Sequence, residues 1–334
     1  MNKIIRGSII DITGLAIIAL TLLLLSFSTS FSGIFTFPPS LLNLSTIFLS
    51  ILIEALPFVL IGVLIAGMIQ IFVTEEHIER WIPKNKVMAV IMSCTVGALF
   101  PACECGIVPI VRRLISKGVP IYAAIGFMLT GPLINPIVIA STYMAFGNSF
   151  KIAGLRMGLG FLIAILIGLT ISVVLKGNPL KAPISINATQ SHAHSAKKSF
   201  TNRFWSMLIH AIDEFFDMAK FLIIGAFLAA FVQTYLPAKA LLETGSGPVS
   251  SLLVMMGLAF VLSLCSEADA FIGASFSSIF PTSSILGFLI FGPMIDLKNT
   301  LMLLSVFRYK FVIGLLALIS STVFIVIMML QTFI

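Results

Sequence analysis

Apolar runs of about 20 residues recur along this chain, and they restrict what it can fold into more than any other feature. They lie at 9–27, 46–73, 121–146, 155–175, 208–236, 284–306 and 309–331, with two further runs at 87–111 and 249–280. Inside a bilayer no water satisfies the backbone, so a spanning segment must be a helix or part of a closed barrel. The runs are continuously apolar and show no strand-like alternation, which selects helices. Only 10% of the residues are charged, against about a quarter in soluble domains. An all-α polytopic membrane protein follows. The longest polar interval, Lys176 to Arg203, has too few apolar residues to bury a core of its own. The net charge of +7 sits in short loops between the runs, the pattern of cytoplasmic loops rather than of a nucleic-acid binder.

The runs 87–111 and 249–280 carry polar groups at their centres. The first holds Pro101-Ala-Cys-Glu-Cys-Gly106 and Pro109; the second holds Ser263-Leu-Cys-Ser-Glu-Ala-Asp-Ala270 and Gly273. Helix breakers beside charges predict unwound backbone, tolerated at membrane depth only where it is buried in protein or lines a cavity. The basic residues choose between crossing and folding back. If both runs are re-entrant, only Lys151, Arg156 and Lys239 fall outside, and the other loop cations collect on the cytoplasmic face. Lys220 and Lys298 lie within the membrane on either reading. The expectation is therefore seven full spans plus two re-entrant broken-helix hairpins, with a cytoplasmic N-terminus. The run 9–27 reads as an uncleaved helix.

The two halves echo each other. Glu54, Gly62 and Gln70 recur at a constant offset as Asp217, Gly225 and Gln233, and Gly126-Phe127-x-x-x-Gly131-Pro132-x-x-Asn135 recurs as Gly287-Phe288-x-x-x-Gly292-Pro293-x-x-Asp296. Three spans and one hairpin per copy make an odd number of crossings, so the copies are expected to be two inverted repeats. The division is 1–45 for an N-terminal helix and external loop, 46–175 for repeat 1, 176–206 for a polar cytoplasmic linker and 207–334 for repeat 2. Inverted repeats place their sites near the midplane, where discontinuous helices meet. The motifs 101–106 and 263–270 would then face each other.

On a regular helix Cys103 and Cys105 diverge by about 200°, so only an unwound tip lets both address one ligand. Cys265 from the other tip could complete a three-sulfur site, and thiolates select soft ions such as Cu(I), Zn(II) or trivalent arsenic. Against that, membrane cysteines commonly serve as small hydrophobes, the reading given to Cys94. Glu104, Glu267 and Asp269 could carry protons between sides, or could only tie the tips to backbone or to an arginine. Asp217 with Lys220, and Asp296 with Lys298, can pair locally. Asn135 and Asp296, where prolines interrupt two more helices, are lining candidates or packing kinks. Ser191-His-Ala-His-Ser195 reads as solvated linker, and His77 has no assigned role. The four cysteines all lie in apolar runs and form no disulfide framework. With no Walker A pattern and no nucleic-acid module, neither ATP-driven pumping nor nucleic-acid binding is expected. No cofactor and no catalytic residue is implied.

Taken together, Pro101-Ala-Cys-Glu-Cys-Gly106, Thr130-Gly-Pro-Leu-Ile-Asn-Pro136 and Cys265-Ser-Glu-Ala-Asp-Ala-Phe271 resemble the predicted permease family that includes the ArsP-type organoarsenical exporters. The resemblance covers roughly residues 45 to 331. It implies a multi-pass permease of the cell membrane, and its best-described members export trivalent organoarsenicals. The resulting expectation is a secondary transporter and exporter of a small solute, a soft metal or metalloid species among the candidates, alternating around 101–106 and 263–270. Two other classes compete: a membrane thiol relay between Cys103 or Cys105 and Cys265, and a subunit that needs a membrane partner.

Overall fold

The structure is a computed structural model that describes residues 38–74, 81–174, 200–235 and 247–331, with Ala16, Ala19, Glu76, Ile78 and Leu180. In chain order the helices are α1 (Pro39–Phe72), α2 (Lys86–Leu99), α3 (Glu104–Ser116), α4 (Ile121–Ile134), α5 (Pro136–Ala145) and α6 (Phe150–Val174). Then come α7 (Phe200–Tyr235), α8 (Pro248–Leu262), α9 (Ser266–Ser275), α10 (Thr282–Met294), α11 (Leu297–Val306) and α12 (Tyr309–Leu330). A long helix, two broken pairs and a second long helix thus occur once and then again. The described residues contain no strand, only an isolated bridge between Leu180 and Phe307.

Six segments are long and apolar enough to cross a membrane: α1, α4 with α5, α6, the Ala211–Tyr235 part of α7, α10 with α11, and α12. They match six of the seven expected spans; the run 9–27, apart from Ala16 and Ala19, lies outside the described residues, as do Ser191–Ser195 and His77. Their burial sorts them into two layers. In the α4–α5 and α10–α11 segments 78% and 72% of the apolar window is buried, against 33–39% in the unbroken ones. The broken helices therefore form the centre, and the long helices form a perimeter with an apolar outer face. Phe48, Phe288, Phe307 and Ile107 fill the middle of the core.

The breaks fall where local chemistry ends a helix. Asn135 precedes Pro136 and takes an extended conformation, φ −63° and ψ 154°, as the proline ring demands of its neighbour. Asp296 is likewise extended and begins α11. Between α8 and α9, Ser263 turns into the left-handed region at φ 47°, ψ 43°, and Gln233 Nε2 donates to the Leu262 carbonyl at 2.6 Å, satisfying an acceptor that the broken helix leaves open.

In one respect the expected breaks shift. Gly106 and Pro109 lie inside α3, and Glu267, Asp269 and Gly273 lie inside α9; the chain is unwound at 100–103 and 263–265 instead. Pro109 is tolerated because the bond it forfeits is to the carbonyl of Cys105, in the first turn beside the break. Gly106 serves packing: a Cβ there would stand 2.7 Å from the Phe58 carbonyl oxygen of α1. On the far end of α3, Arg113 and Arg112 reach the buried Glu214 of α7 at 2.7 and 3.4 Å. The pair Asp217–Lys220 forms as expected, at 2.9 Å.

Candidate functional site

Four half-helices, α3, α5, α9 and α11, begin around one cavity of about 320 Å³. Its wall includes Cys103, Glu104 and Cys105 from the first break, Cys265 and Glu267 from the second, and Asn135 and Lys298 from the starts of α5 and α11. Glu54, Ala55 and Phe58 of α1 close one side. Six of the expected residues are thus brought together. Asp269 and Asp296 are not part of the wall.

Apart from the residues of α1, the lining groups lie at or beside a helix start. Cys103 and Cys265 are the N-caps of α3 and α9, and neither gives a side-chain cap bond. The dipoles of both helices direct positive potential to this point. Glu104 and Ser266 follow as first helical residues. Asn135 caps α5, its Oδ1 accepting from the Val138 N–H at 2.9 Å while its Nδ2 donates to the Gly131 carbonyl at 3.3 Å. Asp296 does the same for α11, accepting from the Asn299 N–H. Asn135→Ala is expected to lower stability by about 0.5–2 kcal/mol, the range for a lost N-cap; a thermal unfolding comparison in detergent checks it.

The centre of the site is a charge contact between the two halves of the chain. Lys298 Nζ lies 3.1 Å from Glu104 Oε1, donates to the Ser263 carbonyl at 3.3 Å and stands 3.8 Å from Asp296 Oδ2. One ammonium thus touches both breaks. Glu104 and Lys298 are 1% and 4% exposed, so each charge relies chiefly on its protein partners. Glu104 Oε2 has no protein partner. The local Asp296–Lys298 contact expected from sequence exists but is the longest of the three. Glu54 approaches the Cys265 thiol from α1.

Arg156 corrects the reading of the loops. Expected outside the membrane, it is 1% exposed in the interior, bonding Thr142 Oγ1 at 2.6 Å and the Ser266 carbonyl at 3.1 Å. In the sequence it stands at the very start of the run 155–175 and counts with the loop cations, whereas α6 begins earlier, at Phe150. Its carboxylate neighbours are Asp269 and Glu267. Sequence reasoning also missed Lys298 and Glu54 as site residues. Lys298 had a signal: a lysine within a membrane run requires a partner. Glu54 stands out in the sequence only as a repeat marker. Cys94 is buried in the core, against Gly126 of α4. Among the described residues no three His, Cys, Asp or Glu side chains are grouped so as to hold a metal ion. Cys103, Cys105 and Cys265 share a cavity without forming such a cluster.

Buried charges around a cavity at the meeting point of broken membrane helices suit a transporter's site, and the family match agrees: a membrane permease rather than an enzyme. Residues 40–332 match the model of the ArsP_1 family, described as a predicted permease, and the chain belongs to that family. It is 53% identical to the UPF0718 protein YcgR of Bacillus subtilis over 82% of this chain and 92% of that protein. It is 44% identical to a "Putative two-component membrane permease complex subunit" of Streptococcus mutans, over 83% of this chain and 91% of that one. The UPF0718 protein MJ0584 of Methanocaldococcus jannaschii is 28% identical over 38% of this chain and 35% of its own. No solved structure matches.

Proposed function

We propose that the chain is a secondary transporter that exports a small solute through this cavity by alternating access, with repeats 46–175 and 207–334 inverted about it and the N-terminus cytoplasmic. The observation that carries the reading is Lys298 joined to Glu104 and to the Ser263 carbonyl. An ammonium shared by the two broken hairpins couples their positions, so cargo that competes for Glu104 changes how the halves hold together. The recurring order of long helix, broken pair, broken pair and long helix supports the duplication. The three thiols on the wall favour a soft metal or metalloid species as cargo. Glu104 and Glu267, which share the wall with Glu54, would balance its charge or exchange it for protons. Lys298 at the cavity and the N-caps Asn135 and Asp296 position those groups. The Streptococcus mutans relative is named as a subunit of a two-component complex, and we assign this chain a membrane partner as well.

The test uses cells lacking the gene, complemented with wild type, Glu104→Gln or Glu267→Gln, and assayed for tolerance to and efflux of zinc, copper, arsenite, methylarsenite and small thiols. Wild type should move at least one of these. Both variants should insert normally and fall to the empty-vector level, whereas undiminished flux in both would remove the carboxylates from the mechanism.

A further inference from the structure

Asp269 lies off the cavity wall and, unlike Asp296, caps no helix. It lies in the first turn of α9 at 1% exposure, and neither carboxyl oxygen has a hydrogen-bond partner. Its Oδ2 packs against Gly292 of α10, where a Cβ would come within 2.8 Å. The opposite charges that act on it are those of Arg156 of α6 and Lys298 of α11, and neither forms a hydrogen bond with it. Arg156, however, spends its two terminal nitrogens on Thr142 and on the Ser266 carbonyl, and its Nε is unbonded. A guanidinium beside an ionised carboxylate would pair with it, since burying an unpaired charge is far costlier than burying a neutral polar group. This arrangement is the one that suits a carboxyl already neutralised.

The geometry points to Asp269 as a proton-binding site separate from the cargo cavity, with Arg156 holding the Ser266 carbonyl when the proton is bound and Asp269 when it is not. The step balances simply. A proton from water on one side forms an Oδ–H bond on the carboxylate; the reverse step breaks that bond and returns the proton to water on the other side. Ser266 is the first residue of α9, between Cys265 and Glu267 of the cavity wall, so the exchange of partners by Arg156 acts directly on the half-helix that shapes the site. Two ligand states stabilise two arrangements of one element, which is what coupling requires. The other charges in range of Asp269 are Glu104 of α3 and Asp296 and Lys298 of α11, with Glu267 on its own helix. Of the helices packed against α9, α10 contributes no titratable residue, and Tyr143 of α5 stacks on Phe150 instead. The inference rests on the transport reading for what the proton drives, but not for the existence of the site.

Infrared spectroscopy of the full chain in lipid nanodiscs, with no cargo, tests it. The wild type should show the C=O stretch of a protonated carboxyl at neutral pH, diminishing as the pH is raised. Asp269→Asn should lose that band, while Glu267→Gln and Asp296→Asn should keep it. A wild-type spectrum without the band, or a band that survives Asp269→Asn, overturns the proposal. If Asp269→Asn does not accumulate, Arg156→Lys decides instead: the band should change position, and an unmoved band overturns the proposal. Because the spectrum needs no cargo, failed transport assays leave this result standing on its own.

Discussion

Lys298→Met should destabilise the protein by about 3–5 kcal/mol and abolish transport, the largest effect expected of any side-chain change here. Removing the ammonium leaves the Glu104 carboxylate buried beside Asp296 with no cation. It also frees the Ser263 carbonyl at the second break. An uncompensated buried charge is what makes one-sided removal so costly, whereas removing both partners can be nearly neutral. The double variant Glu104→Gln/Lys298→Met should therefore regain most of the lost stability and none of the transport. Thermal unfolding of the four proteins in detergent gives the coupling between the two positions. Purely additive losses would mean that the contact at 3.1 Å contributes nothing as a pair.

Gly62→Ala should be nearly as damaging, although it adds a single methyl group. That Cβ would lie 2.1 Å from the Gly106 carbonyl oxygen and 2.9 Å from its Cα. The obstruction is backbone against backbone, and no rotamer change relieves it. Overpacking typically costs about 1–3 kcal/mol. The upper end is expected here because α3 as a whole must retreat from α1, carrying Cys103 and Glu104 with it. Gly158→Ala is the matched control, since nothing stands within 4 Å of its Cβ position in α6. It should be neutral or slightly stabilising, as alanine is the better helix former by about 1 kcal/mol. Unfolding midpoints and transport should separate the two variants; equal behaviour would mean that the α1–α3 approach is unimportant.

Much of the architecture is legible in the sequence because the bilayer leaves few alternatives. Apolar runs in a bilayer can only be helices, and six spans appear among the described residues, two of them broken near Asn135 and Asp296. The existence of the breaks is legible too, since Pro101, the Ser263–Ala270 island, Pro136 and Asp296 mark them. Their boundaries are less so. Gly106 and Pro109 read as breakers in a string of letters, but α3 accommodates the proline in its second turn and uses the glycine to approach α1. The cavity's thiols and carboxylates stand out because polar atoms in an apolar run are conspicuous. Their partners do not. Glu104 and Lys298 are 194 residues apart, and no local spacing links them. Arg156 was hidden for a related reason: near the start of an apolar run, a loop cation and an interior one look alike. Only the packing of α6 against α4 and α5 brings that guanidinium to Thr142 and Ser266.

Access to the Cys265 thiol tests the central claim most directly. The protein would carry Cys265 as its sole cysteine, after serine replacement of Cys94, Cys103 and Cys105, in vesicles of each orientation. A membrane-impermeant maleimide would be added from outside. If the cavity at the four half-helix starts is an alternating pathway, Cys265 should be labelled in both orientations, while a Cys94-only protein stays unlabelled in either. A Cys265 that remains unreactive from both sides would contradict the account, because a site that water never reaches cannot lie on a transport path.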